Sequence, residues 1–152
     1  MAIKDSGQRR EFETGAVRDC GDPSNPKGRC DLMPLGVVAR MYGNEADPIL
    51  DDLCLFQKTL DTEHLYRALR TFAEILGGVS TMLLEVAKHF EEGALKYGEN
   101  NWQKGIPYSC YIDSAVRHYI KLSRGDTDER HDRAFVWNIM CCIWEVDYHV
   151  EN

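Results

Sequence analysis

The chain has 152 residues, a length typical of one domain that buries a hydrophobic core without disulfides or a structural metal. Its 43% apolar and 28% charged residues are typical of a globular protein and exclude the disordered and fibrous classes. The net charge of −7 argues against a sequence-independent nucleic-acid binder, since such proteins neutralise phosphates with lysine and arginine.

Residues 1–30 are predicted to form an irregular arm on or near the functional site, because Gly, Pro, Asp and Arg interrupt every apolar run. Residues 31–152 are predicted to form a single helical domain. The chain starts without the apolar core of a signal peptide, and its longest apolar stretch, Ala134 to Trp144, is too short to span a bilayer. We therefore expect no membrane association and a cytoplasmic location.

The cysteines are predicted to be reduced thiols, because the chain has neither a secretion signal nor a C-x-x-C pair. They are Cys20, Cys30, Cys54, Cys110, Cys141 and Cys142.

Two helices are predicted in the first half of the domain. A short one starts at Leu32, carries Pro34 in its first turn and ends near Gly43. The second is capped by Asp61 and ends at the pair Gly77 and Gly78. Its apolar residues recur at helical spacing, at Leu65, Leu69, Phe72 and Leu76.

A third helix is predicted from Ser80 to Gly98, with one polar stripe on its surface. Steps of four, three and four residues place four polar side chains on one face: Glu85, His89, Glu92 and Lys96. The loop ENNWQKGIPYS follows, and it is dense in amides and aromatics.

Two further helices complete the predicted fold. One runs from about Ser109 to Arg124. The last begins with a capping box, Asp126 followed three residues later by Glu129, and runs to about Tyr148. Because no alternating strand pattern of useful length occurs, we predict an all-α bundle of about four to five helices.

Acidic residues on two of these helices are the strongest candidates for chemistry. Mg²⁺ and Mn²⁺ prefer hard oxygen ligands, and two packed helices with acids at helical spacing can hold such ions for phosphoryl chemistry. The alternative is that these acids are solvated, since acids in a first turn also favour the helix dipole. The set is Glu85, Glu91 and Glu92 with Asp128, Glu129 and Asp132.

Other polar residues have two possible roles each. His89, His118 and His131 are either ligands and bases or structural residues. Asp113 and Arg117 form an intrahelical ion pair or present Arg117 to phosphate, for which its planar fork is suited. Lys96 and Lys104 are phosphate candidates, and Trp102 and Tyr108 are candidates for base stacking or for packing. No P-loop, dinucleotide-binding, serine-esterase or zincin motif is present.

The run HFEEGALKYGENNWQKGIPYSCYIDSAVRHYIKLSRGDTDERHDRAFVWN resembles the dATP/dGTP diphosphohydrolase family, which is found in many bacteriophages and described as MazG-like. The ordered series GAxKYGxxNW, DSxxRH, DExH and WN carries this resemblance. SGQRREFETGAVRD and KGRCDLMP also fit, so that only the stretch around residues 46–62 is left out.

The resemblance implies a MazG-like helical bundle that assembles as dimers or tetramers in the host cytoplasm. It implies hydrolysis of a purine deoxynucleoside triphosphate, dGTP or dATP, to the monophosphate and pyrophosphate, with Mg²⁺ or Mn²⁺ as cofactor. Implied metal ligands are Glu92, Glu129 and Asp132, with Glu85, Glu91 and Asp128 as alternates. Implied catalytic residues are Lys96, Arg117 and His118, and implied substrate-binding residues are Asn101, Trp102, Lys104 and Asp113. Leu95 stands where the third acid of the MazG E-E-x-x-E spacing belongs.

Two other functions remain open from the sequence. His118, the pair His131 and Asp132, and Asp147 follow the H…HD…D order of HD-domain phosphohydrolases, which would release tripolyphosphate. A non-enzymatic interaction module would bind no metal and would use the acids only for solubility.

Overall fold

The computed structural model describes residues 3–19 and 21–149, which form a helical bundle with a small hairpin. Cys20 lies outside the described residues. The α-helices are α1 (Leu35–Ala39), α2 (Pro48–Thr59), α3 (Glu63–Ile75), α4 (Val79–Tyr97), α5 (Tyr108–Arg124) and α6 (His131–Asp147). The predicted all-α fold is confirmed. In the described part of the chain, no helix is both long and apolar enough to cross a membrane.

Helix α6 lies at the centre of the bundle, along α5 and against α4 and α3. Its middle turns are buried, including Phe135 and Ile139. Phe135 packs on Phe72 of α3 and Tyr119 of α5, with ring centroids 4.6 and 5.5 Å away. Cys141 and Cys142 are buried in the same core and act as small apolar side chains. The five described cysteines are free thiols, as predicted.

Helix α2 was not predicted, although its start has a clear local cause. Asp47 accepts hydrogen bonds from the backbone N–H groups of Ile49 and Leu50, and Pro48 occupies the first helical turn. Asp47 also accepts a hydrogen bond from the Tyr119 hydroxyl at 2.7 Å. This contact ties the start of α2 to α5.

Two of the predicted helices have different boundaries in the structure. The helix expected from Leu32 to Gly43 is a 3₁₀ turn at Cys30–Leu32 followed by the short α1, with Pro34 just ahead of it. The predicted capping box at Asp126 is wrong, because α6 starts at His131. Asp126 binds Arg124 instead, and the Glu129 carboxylate accepts a hydrogen bond from the Lys4 backbone.

The segment predicted as an irregular arm contains an antiparallel hairpin. Strand β1 (Arg9–Glu11) pairs with β2 (Val17–Asp19), with Arg10 opposite Arg18. The Asn101 amide accepts from the Val17 N–H and donates to the Val17 carbonyl, so it pairs with β2 as a third strand would. Asn101 thereby fixes the hairpin against the loop after α4.

Candidate active site

A cavity of about 860 Å³ lies between the hairpin, α4, the loop after α4 and α5. Its size falls in the usual range for small-molecule sites, roughly 300–1,000 Å³. The hairpin, the loop that follows it and the polar face of α5 all contribute residues to its lining. Residues of the predicted arm therefore belong to the lining of this cavity.

Positive side chains from three parts of the chain line this cavity, among them Arg18, Lys27, Lys96 and Arg117. Arg18 and Lys27 come from the N-terminal segment, Lys96 from the last turn of α4, and Arg117 from the middle of α5. Such a convergence of cations is suited to a ligand with several negative charges. Lys96 and Arg117 were candidates from the sequence, whereas Arg18 and Lys27 were not.

Arg18 is held rigidly while part of its guanidinium has no partner. Its Nη2 donates to Ser114 Oγ at 2.7 Å and to Asn138 Oδ1 at 3.3 Å. The guanidinium lies over the rings of Tyr111 and Trp137, 5.4 and 5.9 Å from their centroids. Nη1 is buried without a hydrogen-bond partner. An unpartnered buried donor on a charged group is costly, which points to an anionic ligand at this position.

Lys96 faces the cavity from α4, and only 9% of its side chain is exposed. Its Nζ donates to the Lys4 carbonyl at 2.6 Å and lies 3.7 Å from Asp19. Lys96 is thus engaged by the arm and by β2. A bound anion would compete with these two partners.

Asp113 and Arg117 form the intrahelical ion pair that was one of their two predicted roles, with Arg117 Nη2 2.8 Å from both carboxylate oxygens. Arg117 also donates to the Gly28 carbonyl, and Asp113 accepts from the Cys30 N–H at 2.6 Å. The pair therefore anchors the loop after β2 to α5. Both residues still line the cavity.

Four of the six predicted metal ligands line neither the large cavity nor the small pocket that adjoins it. Glu85 is bound by Arg133 and Lys88, which lower the pKa of its carboxyl group. Asp132 is paired with Arg130, and Glu91 is exposed on α4. Asp128 pairs with Lys4 Nζ at 2.7 Å.

The other two predicted ligands, Glu92 and Glu129, share a small pocket beside His89. The pocket volume is about 10 Å³, close to the space of one water molecule or ion. The Ile3 N–H donates to Glu92 Oε2 at 3.2 Å, and the Lys4 N–H donates to Glu129 Oε1 at 2.9 Å. A carboxylate from α4 and one from the segment before α6 thus both accept hydrogen bonds from backbone N–H groups of the arm.

Two histidines, His89 and His118, line the large cavity, and His131 contacts His118. His89 contacts Trp137, and burial lowers the pKa of its imidazole to about 4, which leaves it neutral at pH 7. His118 Nδ1 lies 2.9 Å from His131 Nδ1. His131 is fully buried, and its Nε2 is 2.7 Å from Asp128 Oδ1. From the sequence, His131 was a ligand, a base or a structural residue, and it was also part of the HD-type order; its closeness to His118 depends on how α6 packs on α5.

The loop residues predicted to bind substrate occupy different places. Asn101 is buried and holds β2, and Trp102 packs edge-on against Phe90 and Trp144, with centroids 5.8 and 5.1 Å away. Both also line the cavity. Lys104 is exposed and does not belong to the lining.

The HD-type order of residues does not converge in the structure. His118 and His131 are neighbours, but Asp147 is 16 positions beyond His131 on α6, a separation of about 24 Å along a helix. Asp147 instead accepts hydrogen bonds from the Thr62 hydroxyl at 2.8 and 3.0 Å. The last acid of that series therefore has a structural role at the other end of the bundle.

The fold and the cavity define a mainly helical protein with a cation-lined site of nucleotide size. Comparison with protein families gives a match of residues 64–151, more than half of the chain, to the model described as dATP/dGTP diphosphohydrolase, N-terminal. The chain therefore belongs to the dATP/dGTP diphosphohydrolase family. No curated protein matches significantly, and no solved structure does so. The matched region spans α3 to α6 and leaves out Arg18 and Lys27.

Proposed function

We propose that this protein hydrolyses purine deoxynucleoside triphosphates, dGTP or dATP, to the monophosphate and pyrophosphate, with Mg²⁺ or Mn²⁺ as cofactor. The observation that carries the proposal is the large cavity, whose lining includes Arg18, Lys27, Lys96 and Arg117, together with the small adjoining pocket that holds Glu92 and Glu129. Family membership supports the choice of substrate.

The cations would hold the triphosphate. Arg18 offers a buried donor without a partner, and Lys96 and Arg117 flank the same cavity from α4 and α5. Charge-assisted hydrogen bonds to phosphate contribute about 1.5–3 kcal/mol each. Two such contacts would make the affinity for a triphosphate about two to four orders of magnitude higher than that for a nucleoside.

Glu92 and Glu129 are the residues that would hold the divalent ion. Their carboxylates are hard oxygen donors in a pocket of ion size, where backbone N–H groups of the arm now compensate the negative charge. A bound divalent ion neutralises phosphate charge and lowers the pKa of a coordinated water. The ion would displace Ile3 and Lys4 from the carboxylates.

The reaction is a displacement at the α-phosphorus. The oxygen of a water molecule forms a bond to the α-phosphorus, and the bond from this atom to the α,β-bridging oxygen breaks. Pyrophosphate leaves with the bridging oxygen, and the proton that the attacking water loses passes to the bulk solvent. Arg18, Lys96 and Arg117 stabilise the charge that develops on the phosphoryl oxygens.

The experiment is an assay of the purified protein against all four deoxynucleoside triphosphates, with and without Mg²⁺ or Mn²⁺, with products identified. We expect metal-dependent release of the monophosphate and pyrophosphate from dGTP or dATP. Tripolyphosphate would support an HD-type enzyme instead. Absence of any product, together with no binding of a non-hydrolysable dGTP analogue, would leave only an interaction module.

Variants localise the reaction. Glu129→Gln and Glu92→Gln should each lower kcat at least about 100-fold, since each removes a charged ligand and leaves the core untouched. Glu74→Gln is the matched control, because Glu74 is exposed on α3 outside the cavity. Wild-type rates in both site variants would place the metal elsewhere.

Homo-oligomerisation and a cytoplasmic location remain part of the proposal. Leu84 and Leu95 are 73% and 86% exposed on α4, and their spacing of eleven residues, about three turns, places them on one face. Ile75 is 64% exposed at the end of the preceding helix. An exposed apolar helix face, such as the one with Leu84 and Leu95, is typical of subunit contacts. Light scattering coupled to size exclusion measures the number of subunits.

A further inference from the structure

The pair of histidines between α5 and α6 has donor chemistry that differs from that of the carboxylate pocket. One donor atom each from His118, His131 and Glu129 lies within 4.8 Å of the other two. Imidazole nitrogen suits zinc, cobalt, nickel and iron, whereas Mg²⁺ prefers oxygen. Two imidazoles and one carboxylate are a frequent ligand set of transition-metal sites.

We propose that His118, His131 and Glu129 form a binding site for a transition-metal ion of the Zn²⁺ or Co²⁺ type. This inference goes beyond the proposed function, because such a site binds metal whether or not a nucleotide is hydrolysed. It shares Glu129 with the carboxylate pocket and adds two nitrogen ligands, one from each histidine.

The spacing of the two nitrogens is close to that of a metal site. His118 Nδ1 and His131 Nδ1 are 2.9 Å apart. Two imidazoles on one tetrahedral zinc, each with a Zn–N bond of about 2.0–2.1 Å, place their nitrogens about 3.3 Å apart. A small rotation of the His118 ring would supply the difference.

Asp128 completes the arrangement in the way typical of histidine ligands. Its Oδ1 lies 2.7 Å from His131 Nε2, so His131 carries its proton on Nε2 and presents the lone pair of Nδ1 to His118. A carboxylate on the outer nitrogen fixes the tautomer and orients the ring. His131 has no exposed side-chain surface, which also fixes its position.

Access to this site is from the large cavity. His118 and Glu129 both belong to the cavity lining, so an ion reaches the histidines without opening the core. A neighbouring group of Asp126, Asp128 and His131 has the same close spacing. There, Asp126 is already paired with Arg124 and Asp128 with Lys4. Those cations make that group the weaker site.

The test is metal binding by the full-length protein after chelator treatment, without nucleotide. Co²⁺ is titrated and the visible absorption of bound cobalt is recorded, and Zn²⁺ is then titrated by calorimetry. We expect one Co²⁺ per chain, displaced by Zn²⁺ and not by an equal concentration of Mg²⁺. An unchanged cobalt spectrum on adding protein would overturn the site, since the histidines would then share only a hydrogen bond.

Variants identify the ligands. His118→Gln and Glu129→Gln should each weaken Co²⁺ binding by at least about 100-fold, since loss of an outer partner alone costs roughly 10- to 100-fold. Asp128→Ala should fall in that smaller range. His149→Gln is the control, because His149 pairs with Glu145 away from the cavity. Circular dichroism checks that each variant folds, and Glu129→Gln tests the site should the more buried His118 variant fail.

The outcomes separate this inference from the proposed function. Wild-type Co²⁺ affinity in either folded ligand variant would overturn the site. Hydrolysis with Mg²⁺ by a protein that binds no Co²⁺ would refute only this inference. Co²⁺ binding by a protein that hydrolyses no deoxynucleotide would refute only the proposed function.

Discussion

Replacement of Arg18 by methionine tests the cationic cavity directly. Methionine keeps an unbranched side chain as far as about the position of Arg18 Nε, but it removes the guanidinium, with its charge, its donors and its stacking on Tyr111 and Trp137. If Nη1 binds a phosphate oxygen, the variant loses one charge-assisted hydrogen bond of about 1.5–3 kcal/mol. With tenfold for each 1.36 kcal/mol, kcat/KM should fall roughly 10- to 150-fold.

Stability should change far less than activity. The variant loses the hydrogen bonds of Arg18 to Ser114 and Asn138, but it also removes a buried donor without a partner. These terms oppose each other and are each about 1–3 kcal/mol. We expect the free energy of unfolding to change by no more than about 2 kcal/mol in either direction. Urea denaturation measures it.

Ligand-induced stabilisation gives a second readout that needs no turnover. A non-hydrolysable dGTP analogue at 100 times its Kd should stabilise the wild type by about 2.7 kcal/mol. At the same concentration, a 100-fold weaker variant should gain only about 0.4 kcal/mol. Arg70→Met is the control, because Arg70 is an exposed residue of α3 paired with Glu63. Unchanged kcat/KM and unchanged stabilisation in Arg18→Met would refute the assignment of Arg18 to phosphate binding.

Three further predictions concern the fold around the site. Asp47→Ala should lower the free energy of unfolding by about 2–4 kcal/mol, through loss of a helix cap and of the bond from Tyr119; a loss under 1 kcal/mol in urea denaturation would contradict it. Because burial lowers the pKa of His89 to about 4 from 6.5, the unfolded chain takes up a proton that the folded chain does not. Wild-type stability should therefore fall as the pH drops from 6.5 towards 4, by about 2 kcal/mol at pH 5 from this residue, and metal-free His89→Gln should lack that share. Gly105→Ala should destabilise the fold by about 1–3 kcal/mol, because Gly105 has φ +112° and an added Cβ would lie 2.7 Å from His149; a thermal melt equal to that of the wild type would show that the loop adjusts freely.

The helices were predictable where their causes are local. Gly98 and Gly125 end α4 and α5 at the expected positions, and the buried face of α3 follows from its helical spacing. The start of α6 was not predictable from its capping box, because a distant backbone group, Lys4 N–H, takes the carboxylate that the box requires. Tertiary contacts of this kind leave no pattern in the neighbouring residues.

The site was predictable in part for the same reason. Residue spacing correctly placed Glu92 and Lys96 on one face of α4, and both line the cavity system. Spacing within one helix does not show which arginines neutralise which acids, so the pairing of Glu85 with Arg133 was not foreseen. Arg18 was missed because its role depends on a hairpin that Asn101 holds against the helices.

In the described part of the arm, Ile3 and Lys4 donate hydrogen bonds to Glu92 and Glu129 through their main-chain N–H groups. A side-chain substitution at residue 3 therefore leaves both N–H donors in place. Loss or gain of one residue between Lys4 and β1 moves the two donors out of hydrogen-bond distance of the carboxylates, since one residue spans up to about 3.5 Å. The carboxylate pocket therefore constrains the length of the segment between Lys4 and β1 more than its amino-acid composition.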